Sequence, residues 1–242
     1  YQSKSNGFHW FKASFTYAIG LLKQSYWLLL SGIASVVYLK VDQLMLGEMV
    51  GREAVGVYAV AARLSEVWYF FANALVLSFF ASLIQLRKTN STQYRQRLQK
   101  LCDALFMLAF LTAIIVSLLA EPVVPWLFGK EYQASAAILS IHIWAAIFVF
   151  MRALASKWLI AERLLVFSLV SHGSGAVINI LLNLLLIPLY EGAGAAMATI
   201  VSYAVASLFA FFFSRSTRPI AWVMLKSMAL PLTLGARYWK LG

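Results

Sequence analysis

Ile187-Pro188-Leu189-Tyr190-Glu191-Gly192-Ala193-Gly194-Ala195-Ala196-Met197-Ala198-Thr199 separates two long apolar runs. Pro188 is expected to end the first run, because proline lacks the N–H that continues a helix. Gly192 with Ala196, and Gly194 with Ala198, place small residues four apart at the start of the second run. That spacing lets helices approach closely in lipid. Gly173, Gly175 and Ala176 do the same inside the first run. The functional alternative is a flexible or broken helix beside a substrate site.

Working outward, six apolar stretches are found: residues 25–47, 58–86, 101–120, 134–161, 164–190 and 193–214. Each has at least the roughly 20 residues that a helix needs to cross the hydrocarbon core. The runs are continuous rather than alternating, so they read as helices and not barrel strands. Hydrophobic residues make up 62% of the chain and charged residues 12%. A soluble domain is about half apolar and a quarter charged, and one core of 242 residues cannot hide the difference. The expected fold is all-α: a polytopic membrane protein with a six-helix transmembrane bundle at 25–214. Residues 1–24 read as an amphipathic cytoplasmic lead-in. Residues 215–242 read as a basic, partly apolar tail. Within that tail, 219–236 is broken by Lys226 and Pro231 and is expected to lie at the membrane interface. Pro122 and Pro125 are expected to shape the loop after the third span.

The formal charge is +11, but no nucleic-acid-binding motif accompanies it, so nucleic acid is not an expected partner. The basic residues instead flank the spans. Lys4, Lys12, Lys23, Arg87, Lys88, Arg95, Arg97, Lys100, Arg163, Arg215 and Arg218 fall on one side, against Arg52 and Lys130 on the other. The positive-inside rule then puts both termini in the cytoplasm, and an even number of spans gives the same answer. The single cysteine, Cys102, excludes an internal disulfide and a cysteine-based metal site. Asn90-Ser91-Thr92 matches a glycosylation sequon but lies in a loop assigned to the cytoplasm. His9, His142 and His172 have no metal-ligand spacing, and no nucleophile elbow, phosphate loop or dinucleotide fingerprint is present. The chain therefore reads as no enzyme, with no cofactor and no metal.

Ionisable residues inside the spans carry the functional signal, since each needs a partner or a wet cavity. These are Lys40, Asp42, Arg63, Glu66, Arg152 and Lys157, with Asp103 near the inner end of the third span. Asp42 and Arg63 should lie at similar depth across the first hairpin, and so should Lys40 and Glu66. Two opposite-charge pairs are expected there, either stapling the hairpin or lining a polar cavity or gate. Arg63, Glu66 and Asn73 share one helical stripe. Arg152 is placed either against a substrate anion, against a partner on another helix, or snorkelling inward. Lys157 is expected to snorkel. Asn179 and Asn183, four apart, either hydrogen-bond between helices or line a cavity. His142 is read as a packing residue, with titration near neutral pH as the alternative.

Four segments in order carry a family resemblance. They are Tyr38-Leu39-Lys40-Val41-Asp42-Gln43-Leu44-Met45-Leu46-Gly47, Val55 to Glu66, Pro125-Trp126-Leu127-Phe128-Gly129-Lys130-Glu131-Tyr132, and the segment quoted first. Together, from about Leu22 to Arg215, they resemble the C-terminal half of bacterial Wzx-type polysaccharide (O-antigen or capsule) flippases. Those belong to the multidrug/oligosaccharidyl-lipid/polysaccharide exporter superfamily. The resemblance implies one lobe of a two-lobe transporter in the bacterial inner membrane, with an N-terminal lobe missing from this chain, which is expected to be a fragment or a natural half. It implies movement of an undecaprenyl-diphosphate-linked oligosaccharide, with membrane lipid, a polysaccharide polymerase and glycosyltransferases as further partners. Coupling to a proton or sodium gradient would pass through Asp42 or Glu66. The alternatives are a drug or metabolite exporter of the same superfamily and a non-transporting membrane scaffold.

Overall fold

Backbone N–H and C=O groups cannot go unpaired in lipid, and runs of this length satisfy them internally as helices. In the computed structural model, which describes residues 15–233, every regular element is helical. The helices are α1 (Phe15–Met49), α2 (Arg52–Glu66), α3 (Tyr69–Thr89), α4 (Ser91–Phe128), α5 (Gln133–His142), α6 (Ala146–Ala161), α7 (Leu165–Ser207) and α8 (Arg218–Met228). Short 3₁₀ turns join α5 to α6 at Ile143–Ala145 and follow α7 at Phe209–Phe212. The chain is a multi-pass membrane protein.

Among the described residues, five helical stretches are long and apolar enough to cross a membrane, and they contain the six expected spans with shifted boundaries, the fifth and sixth together in one. The second is two helices, α2 and α3, meeting at a turn over Val67 and Trp68. The fourth is α5 and α6. The third, expected at 101–120, runs from Ser91 to Phe128 as α4. Its early start is set by Asn90, whose Oδ1 accepts from the Gln93 N–H at 3.0 Å and satisfies one of the free donors of the first turn. Thus Asn90 caps a helix. Pro122 and Pro125, expected in a loop, lie inside the last turns of α4. What ends that helix is Gly129, at φ 97°, a conformation that suits a residue with no Cβ.

Pro188 does not end the fifth span either. Helix α7 continues through it and breaks at Glu191, at φ 49° and ψ −125°. Proline removes one ladder bond, and the next turn gives way. The break makes α7 two limbs, which correspond to the fifth and sixth expected stretches. Beyond it the chain folds back so closely that a Cβ on Gly194 would lie 2.2 Å from the Leu186 carbonyl oxygen. A Cβ on Gly192 would lie 2.6 Å from Ile138 Cδ1 on α5. Gly173, by contrast, has open space around it.

The α5–α6 span is central. It packs against α4 on one side, α2 and α3 on another and α7 on a third. Helix α1 lies outside, along α7 and against α2. Phe150, Met151 and Leu154 of α6, Tyr58 of α2 and Leu105 of α4 are fully buried. Trp126, Leu118 and Phe70 project outward, 81%, 74% and 71% exposed, as suits helices whose outer solvent is hydrocarbon.

Helix α8, eleven residues long, falls short of the roughly 20 needed to span. It packs on α4 through Ile220, Ala221, Met224 and Ser227. Asp103 of α4 is buried there and accepts from the Ser227 hydroxyl at 2.6 Å and from Gln99 Nε2 at 2.9 Å. Of the expected lead-in and tail, residues 1–14 and 234–242 lie outside the described residues. From Phe15 the backbone is already that of α1.

Candidate functional site

Helices α1 and α2 run antiparallel around a two-residue turn, so residues similarly far from it meet. Lys40 and Glu66 do so: Lys40 Nζ donates to both Glu66 oxygens, at 3.1 and 3.2 Å. The pair is open, with side-chain exposures of 47% and 29%. Asp42 and Arg63, expected to form the second pair, do not. On α2 the buried residues are Tyr58, Ala61, Ala62 and Ser65. Arg63 lies five residues from Tyr58, about 140° round the helix, and is exposed.

Asp42 points the other way, into the bundle, and is buried. The Tyr58 hydroxyl donates to its carboxylate, and so does the Gln43 backbone N–H, at 2.8 Å. The Thr199 hydroxyl approaches both Asp42 and Tyr58 at 3.4 Å. Its one proton goes to the Ala195 carbonyl, at 2.9 Å, so its contacts to Asp42 and Tyr58 are weak. The ring of His142 meets Tyr58 edge-on, with centroids 5.9 Å apart, and is buried. One carboxylate thus ties α1 to α2 through Tyr58, with Thr199 of the second limb of α7 beside it and α5 behind.

Arg152 is also enclosed. Its Nη1 donates to Ser171 Oγ at 2.7 Å and to the Ala206 carbonyl at 3.1 Å, and its Nη2 to Ser168 Oγ at 3.3 Å. The guanidinium lies over the Phe211 ring, 5.1 Å from its centroid, within cation–π range. Of the placements open from sequence, this is a partner set on other helices: α6 is joined to both limbs of α7. Ser168 also bonds Ser31 of α1, at 2.8 Å, and Ser31 lies 3.0 Å from His172 Nδ1.

Asn179 and Asn183 are fully buried. Asn183 Nδ2 donates to Asn179 Oδ1 at 2.9 Å, and Asn179 Nδ2 donates to Ser202 Oγ at 3.1 Å. They bind the two limbs of α7 to each other. Asn73 is exposed and its side chain returns to the Tyr69 carbonyl at 3.0 Å. Lys40, Arg63, Glu66 and Asn73 therefore form an outward polar stripe, while Asp42, Arg152, Asn179 and Asn183 form an inner network.

The partners Tyr58, Thr199, Ser168, Ser171 and Ser202 were not foreseen as site residues. Hydroxyls inside apolar spans were the available signal, since each must find a bond in hydrocarbon. Which polar group each one meets depends on helix packing. Among the described residues, no three His, Cys, Asp or Glu side chains gather closely enough to hold a metal ion.

Residues 9–137, more than half of the chain, match the family described as polysaccharide biosynthesis protein. A probable low-salt glycan biosynthesis flippase of Haloferax volcanii, Agl15, is 25% identical over 202 residues, covering 80% of this chain and 41% of that protein. The chain thus spans about two fifths of the length of that curated relative. No solved structure matches this chain. An all-helical, multi-pass bundle with charges held inside its spans accords with the sequence match, and the chain belongs to the polysaccharide biosynthesis protein family.

Proposed function

We propose that this chain is the C-terminal lobe of a Wzx-type flippase that carries an undecaprenyl-diphosphate-linked oligosaccharide across the bacterial inner membrane. The observation that supports this most directly is the outward stripe of Lys40, Arg63, Glu66 and Asn73. Lys40 lies nine residues from the end of α1, about 13 Å along the helix, and Asn73 lies deeper still. Charges at such depth cannot face acyl chains without large cost. They suit a water-filled cavity closed on its far side by a second lobe. A diphosphate and its sugars could cross there while the isoprenoid tail stays in the bilayer.

The motion is rocking of one lobe against the other, and no bond is made or broken, so the chain acts as a transporter and not an enzyme. Glycosyltransferases would supply the substrate and a polymerase would consume it. Both termini are cytoplasmic by the charge bias. Asp42, buried between α1 and α2, and Glu66, on the stripe, are the acids through which a proton or sodium gradient would act. The inner network holds the lobe rigid enough to move as one body. The test is export in a complete two-lobe transporter. Lys40→Gln with Arg63→Gln should cut glycan export at unchanged protein level. Unchanged export would remove the stripe from the substrate path.

A further inference from the structure

A cavity of about 950 Å³ opens at the end of the bundle that carries the basic loops, away from the stripe on α1, α2 and the start of α3. The end of α3, the first turns of α4, the end of α6 and α8 form its walls. Arg87, Arg95, Lys100 and Lys226 line it, against only two carboxylates, Asp103 and Glu162. Both acids are engaged. Glu162 accepts from Arg87 at 2.6 Å, and Asp103 from Ser227. Arg95 and Lys100 are exposed and make no hydrogen bond or ion pair among the described residues. The floor is apolar, with Leu98, Trp158 and Val223.

Cations at the mouth over an apolar floor suit an amphiphile with an anionic head better than a free anion. Its level is set by α8, whose Trp222 is half exposed and packs edge-on against Phe212. Tryptophan favours the headgroup region. We infer that this cavity binds the phosphate headgroup of an anionic membrane lipid at the cytoplasmic face, held by Arg95 and Lys100. This is separate from the transport reading, because it concerns a site within one lobe and needs no substrate to move.

The test uses the complete chain reconstituted in vesicles of equal phosphatidylglycerol and phosphatidylcholine. Lipid retained on the protein is then counted by native mass spectrometry. Phosphatidylglycerol should be retained in preference. Arg95→Gln and Lys100→Gln should each weaken that retention about fivefold, the effect of one basic residue at an anionic surface. Arg95→Lys should largely keep it, and so should Lys88→Gln, which removes an exposed charge outside the cavity. Excess inorganic phosphate should leave the bound lipid in place. Equal retention of the two lipids, an equal loss with Lys88→Gln, or displacement by inorganic phosphate would each overturn the inference. Glycan export is not part of the readout, so failure of the transport reading would leave this result standing.

Discussion

The Tyr58 hydroxyl donates to the Asp42 carboxylate across the α1–α2 hairpin, and both side chains are buried. A carboxylate at that depth depends on its donors, since an unpaired buried charge is costly. Tyr58→Phe should therefore destabilise the lobe by about 1–3 kcal/mol, the usual penalty for leaving a buried acceptor short of a partner. Thermal unfolding in detergent measures this. In the Asp42→Asn background the same change should cost less, because the two residues act on one bond. Equal costs in both backgrounds would show that Tyr58 acts through packing alone.

Arg152 joins α6 to both limbs of α7, so its loss should first appear as lost stability. Arg152→Gln is expected to lower both the midpoint of unfolding and the amount of protein in the membrane. Hydrogen bonds to a charged group are worth about 1.5–3 kcal/mol. Arg152→Lys should recover only part, because an ammonium cannot reach Ser168, Ser171 and the Ala206 carbonyl with the same planar fork. A Gln variant that accumulates normally but exports no glycan in a two-lobe transporter would instead assign Arg152 to the substrate anion.

The fold-back after Glu191 leaves no room beside Gly194. Gly194→Ala should sharply reduce folded yield, since the added Cβ would meet backbone 2.2 Å away and backbone cannot swing aside. Gly192→Ala meets the flexible end of Ile138 and should be milder. Gly173→Ala meets nothing within 4 Å and should be neutral or slightly stabilising. Size-exclusion yield in detergent ranks the three. A normal yield for Gly194→Ala would mean that the break at Glu191 is not held by this contact.

Topology can be read by labelling. With the buried Cys102 replaced, a cysteine at Ser91 should react only from the cytoplasm and one at Glu131 only from outside. Labelling of Ser91→Cys from outside would invert the whole assignment.

Much of this protein was legible from its chain alone, for a physical reason. Lipid imposes one rule on every residue of a span, so length and apolarity sufficed to mark the stretches that the structure folds as long apolar helices, and loop charges supplied an expected orientation. The depth match of Lys40 with Glu66 was also readable, because a two-residue turn leaves little freedom in an antiparallel hairpin. Rotation was not readable. Depth placed Arg63 opposite Asp42 as well, but about 140° of helix separates Arg63 from the buried face that Tyr58 occupies. Helical phase is set by packing against α5 and α7, which no local pattern reports. Likewise Pro188 marked a disturbance, while its location at Glu191 depended on where the second limb of α7 could seat Gly194 against Leu186. The chain by itself therefore determined which segments are long and apolar enough to enter a membrane. The tertiary structure decided which of the charges there face outward and which are bound among helices, because a helix in hydrocarbon is turned by its neighbours and not by its own sequence.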